Sequence, residues 1–250
     1  MNTPGKRTPI LPNGLKSKET GKNFMHENEF NRAVVAKLDI ILKRCGFRTL
    51  LVAPTDEDVP LKTRTDLANA KKADAYVSVH ANAFDSKFDG NDPEGVETYH
   101  YPNSVEGKKL ATLVHKHLIQ GTRQKDRGVK SANFHVLRET NMVAILVEAG
   151  FMDNLYEAKL LLSDPFRDEV AIEIALGICE YFNVPYVPKK EVVVMPNVPK
   201  LDNNTPSSWA QESWNWAKRV GLLDGTRPKD PITREEIAVV LKRLVDKRLI

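Results

Sequence analysis

Two residues able to ligate a metal each follow a run of apolar residues. His80 comes directly after Ala75 to Val79, and Glu148 directly after Val143 to Val147. In open α/β sheets, ligands bind outside the carboxyl ends of strands. A histidine there supplies a neutral nitrogen ligand for zinc, and a glutamate serves as a ligand or as the base that activates a metal-held water. Either residue alone fits a hydrogen bond to a loop just as well; the two together favour a site. Glu27 and Glu29 open an amphipathic stretch, where acids favour the helix dipole, and one of them could reach a metal above the sheet. His26, just before them, is a further candidate ligand. His115 and His117 fall in a polar helix and read as solvated. His135 alternates within an apolar run and can face either side of a strand.

These residues need elements to position them. Phe30, Val34, Leu38, Ile41 and Leu42 fall on one face of a helix from about Asn28 to Arg44, which Gly46 ends. Phe47 to Val52 reads as a strand, Lys62 to Lys72 as a helix, and Ala75 to Val79 as a buried strand. Val96 to Tyr101 alternates as a strand, and Val105 to Gln120 is an amphipathic helix. Asn133 to Leu137 and Val143 to Val147 read as strands; Asn154 to Leu162 and Pro165 to Phe182 read as helices. The order predicts a three-layer α/β fold, a mostly parallel twisted sheet with helices on both faces, over residues 1–183.

Prolines 185, 188, 196, 199 and 206 mark residues 184–206 as a semi-extended linker, in which Val192 to Met195 is at most a stray edge strand. Residues 207–250 form a small helical module, too short to be strongly stable alone. Trp209, Trp214 and Ala217 mark its first helix. Thr233 and Glu236 form a capping box before a second helix with Ile237, Val240, Leu241 and Leu244 on one face. Trp214 suits the core of the module, and Trp209 or Trp216 could be exposed and stack on sugar.

With 250 residues, 41% hydrophobic and 28% charged, the chain can build a real core and is not disordered in composition. A formal net charge of +4 is too small to specify a partner. The basic residues are scattered with no interleaved aromatic stripe, which argues against nucleic-acid binding. No stretch reaches transmembrane length, so no membrane insertion is expected. Met1 to Lys18 has no apolar core of a secretory signal. The two cysteines, Cys45 and Cys179, form no CxxC pair and read as buried thiols.

Several segments form a recognisable set. They are Gly14-Leu15, Glu27 four residues before Asn31, Arg64-Thr65-Asp66-Leu67-Ala68-Asn69, Ser78-Val79-His80-Ala81-Asn82-Ala83, Asp126-Arg127-Gly128-Val129-Lys130 and Val147-Glu148-Ala149-Gly150-Phe151-Met152-Asp153-Asn154. Together, over about Met1 to Phe182, they resemble the zinc-dependent N-acetylmuramoyl-L-alanine amidases of bacterial autolysins and phage endolysins. The resemblance implies that Glu27 and His80 are zinc ligands and Glu148 the catalytic glutamate, with Arg64, Asn82 and Asn154 in substrate-binding surroundings. The implied substrate is the peptidoglycan amide between N-acetylmuramic acid and L-alanine. Residues 207 to 244 resemble one S-layer-homology-like repeat, on Trp209-Ala210, Trp214 to Ala217, Gly221-Leu222, Asp224-Gly225, Pro228 and Ile232 to Glu236. That implies binding to a secondary cell-wall polymer, with Trp209, Trp216 and Arg227 as contacts and Lys218, Arg219 and Lys229 as further cations.

One departure matters. Family members begin with a strand ending in a Gly-His-Gly-type motif whose histidine completes the zinc site, and the sequence opens at Met1-Asn2-Thr3 in what resembles the loop after it. Two matched ligands predict weak zinc binding, because catalytic sites use three. The expected protein is a modular cell-wall hydrolase acting outside the cell. The absence of a signal suits a phage lysin released at lysis, a spore-mother-cell enzyme or a fragment of a longer precursor. The alternatives are a wall-binding protein that has lost its metal, and a zinc peptidase acting on the stem peptide.

Overall fold

The computed structural model describes residues 6–90, 92–189, 206, 208–223 and 234–246, without the side chains of residue 209, residues 234–238 and residue 243. The chain divides into two compact units, Met1–Lys189 and Lys190–Ile250. The first unit holds helices α1 (Glu27–Arg44), α2 (Leu61–Ala70), α3 (Val105–Thr122), α4 (His135–Arg138), α5 (Leu155–Leu161) and α6 (Asp164–Phe182). Its strands are β1 (Ala75–Asn82), β2 (Val96–His100), β3 (Asp126–Ser131) and β4 (Val143–Phe151).

The sheet order is β1-β4-β2-β3. β1 runs parallel to β4 and β2 parallel to β3, while β2 and β4 are antiparallel. Alternation then decides the two faces. Val79, Val96, Ile145 and Val147 join the main core with the apolar stripes of α1, α3 and α6. Tyr76, Ala144 and Leu146 join a smaller core with Ala68 of α2 and with Val136 and Leu137 of α4. Helices therefore lie on both faces of the sheet, as the sequence pattern predicts. On the main face α3 and α6 approach closely at Gly177, where a Cβ would stand 2.4 Å from Val114 Cα. Any side chain there would force the two helices apart.

Three expectations fail. Phe47 to Val52 is not a strand: the chain there is irregular, and β1 hydrogen-bonds only β4. Composition alone cannot make a strand without a partner backbone, and Leu50 and Leu51 stay exposed. Asn133 to Leu137 is not a strand either, since His135–Arg138 form one helical turn. Val136 and Leu137 are adjacent and both buried in the same core, which a strand's alternation would forbid. The real strand, β3, is polar and half-exposed along its length, so it carries no apolar signal. His115 is not solvated but buried, 3.0 Å from Thr98 Oγ1 and 2.8 Å from Asp126 Oδ1. The thiols of Cys45 and Cys179 are free and buried, as expected.

In the second unit, a short turn Ser208–Ala210 leads into α7 (Gln211–Arg219), and α8 (Arg234–Asp246) follows. Trp214, Trp216, Val240 and Leu244 line a shared groove, with Trp216 exposed. The Trp209 side chain, Arg227, Lys229, Thr233, the caps around it, and Val192 to Met195 lie outside the described residues.

α6 carries a buried acid, Glu173, whose carboxyl end packs against Gly121 of α3. Burial, together with the neighbouring Glu169, pushes the Glu173 carboxyl up to about 7. The folded state thus binds this proton more tightly than the unfolded chain. The stabilisation is full below the unfolded pKa and is lost as pH rises to about 7. Glu173→Gln escapes that loss. The melting-temperature gain of Glu173→Gln over the native chain should therefore grow between pH 5 and pH 8, by about 2–4 °C per kcal/mol recovered. A gain independent of pH would assign it to packing instead.

Candidate functional site

The site begins with how α1 starts. His26 is extended and bridges Arg7, and the Glu27 N–H donates to the Lys6 carbonyl at 2.9 Å. This pins the first turn of α1 against the segment before it, so Glu27 and Glu29 leave the helix in different directions. Glu29 goes inward. Its carboxylate accepts from Arg167 Nη2 at 2.9 Å and from the Ser17 hydroxyl, and Arg167 also donates to the Leu161 carbonyl at 2.7 Å. This ion pair is buried on both sides. Glu27 goes toward the sheet, where its Oε1 lies 2.6 Å from His80 Nδ1 and accepts from Asn31 Nδ2 at 3.2 Å.

His80 sits near the carboxyl end of β1. The Glu27 carboxylate fixes the ring with Nδ1–H toward it, and Ser78 Oγ lies 2.8 Å from Nε2. In register beside His80 stands Glu148 on β4, and across β4 from Glu148 stands Glu97 on β2. Opposite residues on adjacent strands share a face. The row His80, Glu148, Glu97 therefore crosses three strands on the face that also carries Leu146 and Tyr99, opposite the main core. A bulge follows: Asn82 pairs with Phe151, one position out of the earlier register. Gly150 permits it with a φ of 146°, and Phe151 N–H donates to Glu157 at 2.7 Å.

The electrostatics separate the three acids. Burial pushes Glu27 up, but the bonds from His80 and Asn31 outweigh it and hold the carboxyl below its ordinary range. Burial pushes His80 down, and Glu27 more than offsets it, so the imidazole is raised. Glu148 is pushed up to about 7, first by burial and then by the charge of Glu27, against His80 and Lys6. Glu148 Oε2 is buried with no hydrogen-bond partner among the described residues. Glu97 is raised by burial but held low by Lys130, Tyr99 and Arg127.

Glu27 and His80 are chemically suited to zinc. Zinc bonds of about 2.0–2.1 Å place two tetrahedral ligands about 3.3 Å apart, so the pair, now at 2.6 Å, would have to open by about 0.7 Å to hold an ion. The number of donors falls short. No group of three His, Cys, Asp or Glu that could hold a metal occurs among the described residues. His26, the spare candidate, packs its ring edge-on to Phe24 at 5.2 Å.

The remaining sequence candidates are placed less centrally. Arg64 donates to the Val59 carbonyl at 2.7 Å and pairs with Asp58 at 3.6 Å, close enough for its charge to act on His80. Asn82 Oδ1 accepts from its neighbour Ala83 N at 2.8 Å. Asn154 caps α5, accepting from Tyr156 N and Glu157 N. Glu97 escaped sequence reasoning, although a glutamate inside an alternating strand is a signal that could have flagged it; Lys130 stood in the Asp126 to Lys130 segment of the resemblance without a role assigned to it.

A buried carboxyl thus stands beside an imidazole–carboxylate pair toward the carboxyl ends of two neighbouring parallel strands. The chain matches the sequence profile of N-acetylmuramoyl-L-alanine amidases over residues 12–180 and belongs to that family. It is 38% identical over 181 residues to the amidase CwlM of Bacillus licheniformis, covering 72% of this chain and 66% of that protein's length. It is 33% identical over 244 residues to the endolysin of Bacillus phage SPP1, covering 91% of this chain and 86% of that one. The catalytic domain of the amidase CwlV from Bacillus (Paenibacillus) polymyxa var. colistinus superposes with a TM-score of 0.60 at 37% identity. That match covers 64% of this chain and 87% of that one.

The two first-turn acids should respond differently to substitution. Glu29→Ala leaves Arg167 buried and unpaired, and should cost about 3–5 kcal/mol. Glu27→Ala removes no charge partner of the main core and should cost far less. Thermal melts of the two variants check this, and equal losses would mean that Glu27 is structural.

Proposed function

We propose that this chain hydrolyses the amide between N-acetylmuramic acid and the first L-alanine of the peptidoglycan stem peptide. The observation that carries the reading is the unpartnered, largely buried Glu148 carboxyl beside the Glu27–His80 pair. Family membership gives the bond type. A carboxyl near 7 is matched to exchanging a proton near neutrality. Glu148 takes a proton from the attacking water and delivers it to the nitrogen of the departing L-alanine. Glu27 holds the His80 ring in one orientation, and Arg64 adds positive charge to the same side.

Zinc is the proposed cofactor. Glu27 and His80 would be two of its ligands, and the ion would supply Lewis-acid polarisation and an acidified water. The proposed place of action is the bacterial cell wall, outside the cell. Residues 207–250 are proposed as the wall-binding module for a secondary cell-wall polymer, with the exposed Trp216 over its groove in support. Asn82 and Asn154 remain proposed substrate contacts, and Trp209 and Arg227 proposed polymer contacts.

Glu148→Gln should lower turnover of purified walls by about 10²–10⁴-fold, read as new N-terminal alanine amines, without changing zinc content. Zinc itself should be retained weakly through dialysis, since only two ligands are matched. Normal turnover in the variant would remove Glu148 from the mechanism.

A chain ending at Lys189 should still cut soluble muropeptides but lose most of its sedimentation with intact walls. Equal wall binding with and without the tail would refute the module's role.

A further inference from the structure

Beside Glu148 lies a second charged group that the proposed proton transfers do not use. Glu97 stands directly across β4 and is almost fully buried. Two carboxylates on neighbouring strands repel unless cations offset them. Here Glu97 accepts from Arg127 Nε, from Lys130 Nζ at 2.8 Å and from the Tyr99 hydroxyl. The hub of one carboxylate and two cations carries a net positive charge next to the reacting centre.

The two cations are not equivalent. Arg127 is committed to the scaffold: besides Glu97, it donates to the Glu94 carbonyl at 3.5 Å, and its guanidinium lies 5.0 Å over the Phe151 ring. Lys130 has Glu97 as its single ion-pair partner among the described residues, and its side chain is 39% exposed. An ammonium has three donors, and Lys130 uses one of them, on Glu97, among the described residues. Tyr99, opposite Lys130 in the β2–β3 register, packs edge-on to the half-exposed Phe134 at 5.2 Å. The Tyr99 hydroxyl and the Lys130 ammonium thus meet on the same carboxylate.

Resting on the amidase reading, we propose that Lys130, positioned by Glu97, is a specificity-determining contact for a carboxylate on the stem peptide next to the scissile amide. The spacing suits it. Adjacent strands stand about 4.8 Å apart, so a group seated at Glu97 is about one strand from one seated at Glu148. In a stem whose second residue is γ-linked glutamate, the free α-carboxylate lies about 5–6 Å from the departing alanine nitrogen, given Cα atoms 3.8 Å apart. A stem carrying the amide in place of that carboxylate offers no charge to Lys130. Glu97 touches no substrate here; it holds the lysine and keeps its ammonium from swinging into solvent.

The test uses two muropeptides that differ only in that group, D-isoglutamate against D-isoglutamine. Binding is measured by calorimetry with the full chain carrying Glu148→Gln, so that turnover does not consume the ligand. Cleavage is measured separately with the chain unsubstituted at Glu148. The carboxylate form should bind about tenfold tighter than the amide form. Lys130→Met should erase that preference and raise KM for the carboxylate form alone, with kcat unchanged. Lys130→Arg should restore most of it, and Glu97→Gln should weaken it while a melt shows the fold retained. Cleavage of both muropeptides with no preference, or an equal loss on both in Lys130→Met, would overturn the proposal and leave the amidase reading intact. A charge preference in binding with no cleavage would support the carboxylate contact and overturn the amidase reading. Binding of neither muropeptide would overturn both.

Discussion

β4 is shared by two partners of opposite direction, and its register with each is what assembles the site. Parallel pairing with β1 sets His80 beside Glu148, and antiparallel pairing with β2 sets Glu97 beside it on the other side. A slip of one residue in either ladder would turn a whole strand over and send Glu148 into the helix-covered core. The apolar residues around it prevent the slip. Ile145 and Val147 are fully buried against α3 and α6, and the close α3–α6 contact at Gly177 leaves that layer little room to adjust.

The helices add what the sheet cannot. α1 brings Glu27 to His80 from outside the sheet, and it can do so because the opposite side of its first turn is anchored. The Glu29–Arg167 pair ties α1 to α6, and the Lys6 carbonyl holds the start of the helix. One turn therefore carries one acid turned into the scaffold and one turned toward His80. The charges follow the same division. Glu27 is kept ionised by its partners, whereas Glu148, which has none, is pushed toward neutrality by burial.

The sequence shows some of this plainly. His80 and Glu148 stand out because a polar residue that ends a buried run is conspicuous, and the layer order follows from periodicity. Position alone does not separate Glu27 from Glu29, because both suit a helix N-terminus; the family resemblance singles out Glu27, and the physical difference between them lies in tertiary contacts. His115 looked solvated because its partners, Thr98 and Asp126, are distant in the chain. That Glu97 stands beside Glu148, and Lys130 beside Tyr99, depends on which strands are neighbours, and no local pattern carries that. Phe47 to Val52 has strand composition without a strand's partner, and β3 has the partner without the composition.

Among the described residues, β1 hydrogen-bonds to β4 alone. It borders a cleft of about 620 Å³ lined by Leu42, Phe47, Val77 and Phe182. A free strand edge beside apolar surface is a template for another extended backbone. Charges of both signs stand around the same cleft, Arg48, Lys71 and Lys72 with Asp39 and Asp74. Interactions across so mixed a rim are screened, over a Debye length of about 8 Å at physiological ionic strength and about 3 Å in molar salt. What persists in concentrated salt is the apolar lining, so any contact made through this cleft rests on covering Leu42, Phe47, Val77 and Phe182 rather than on charge.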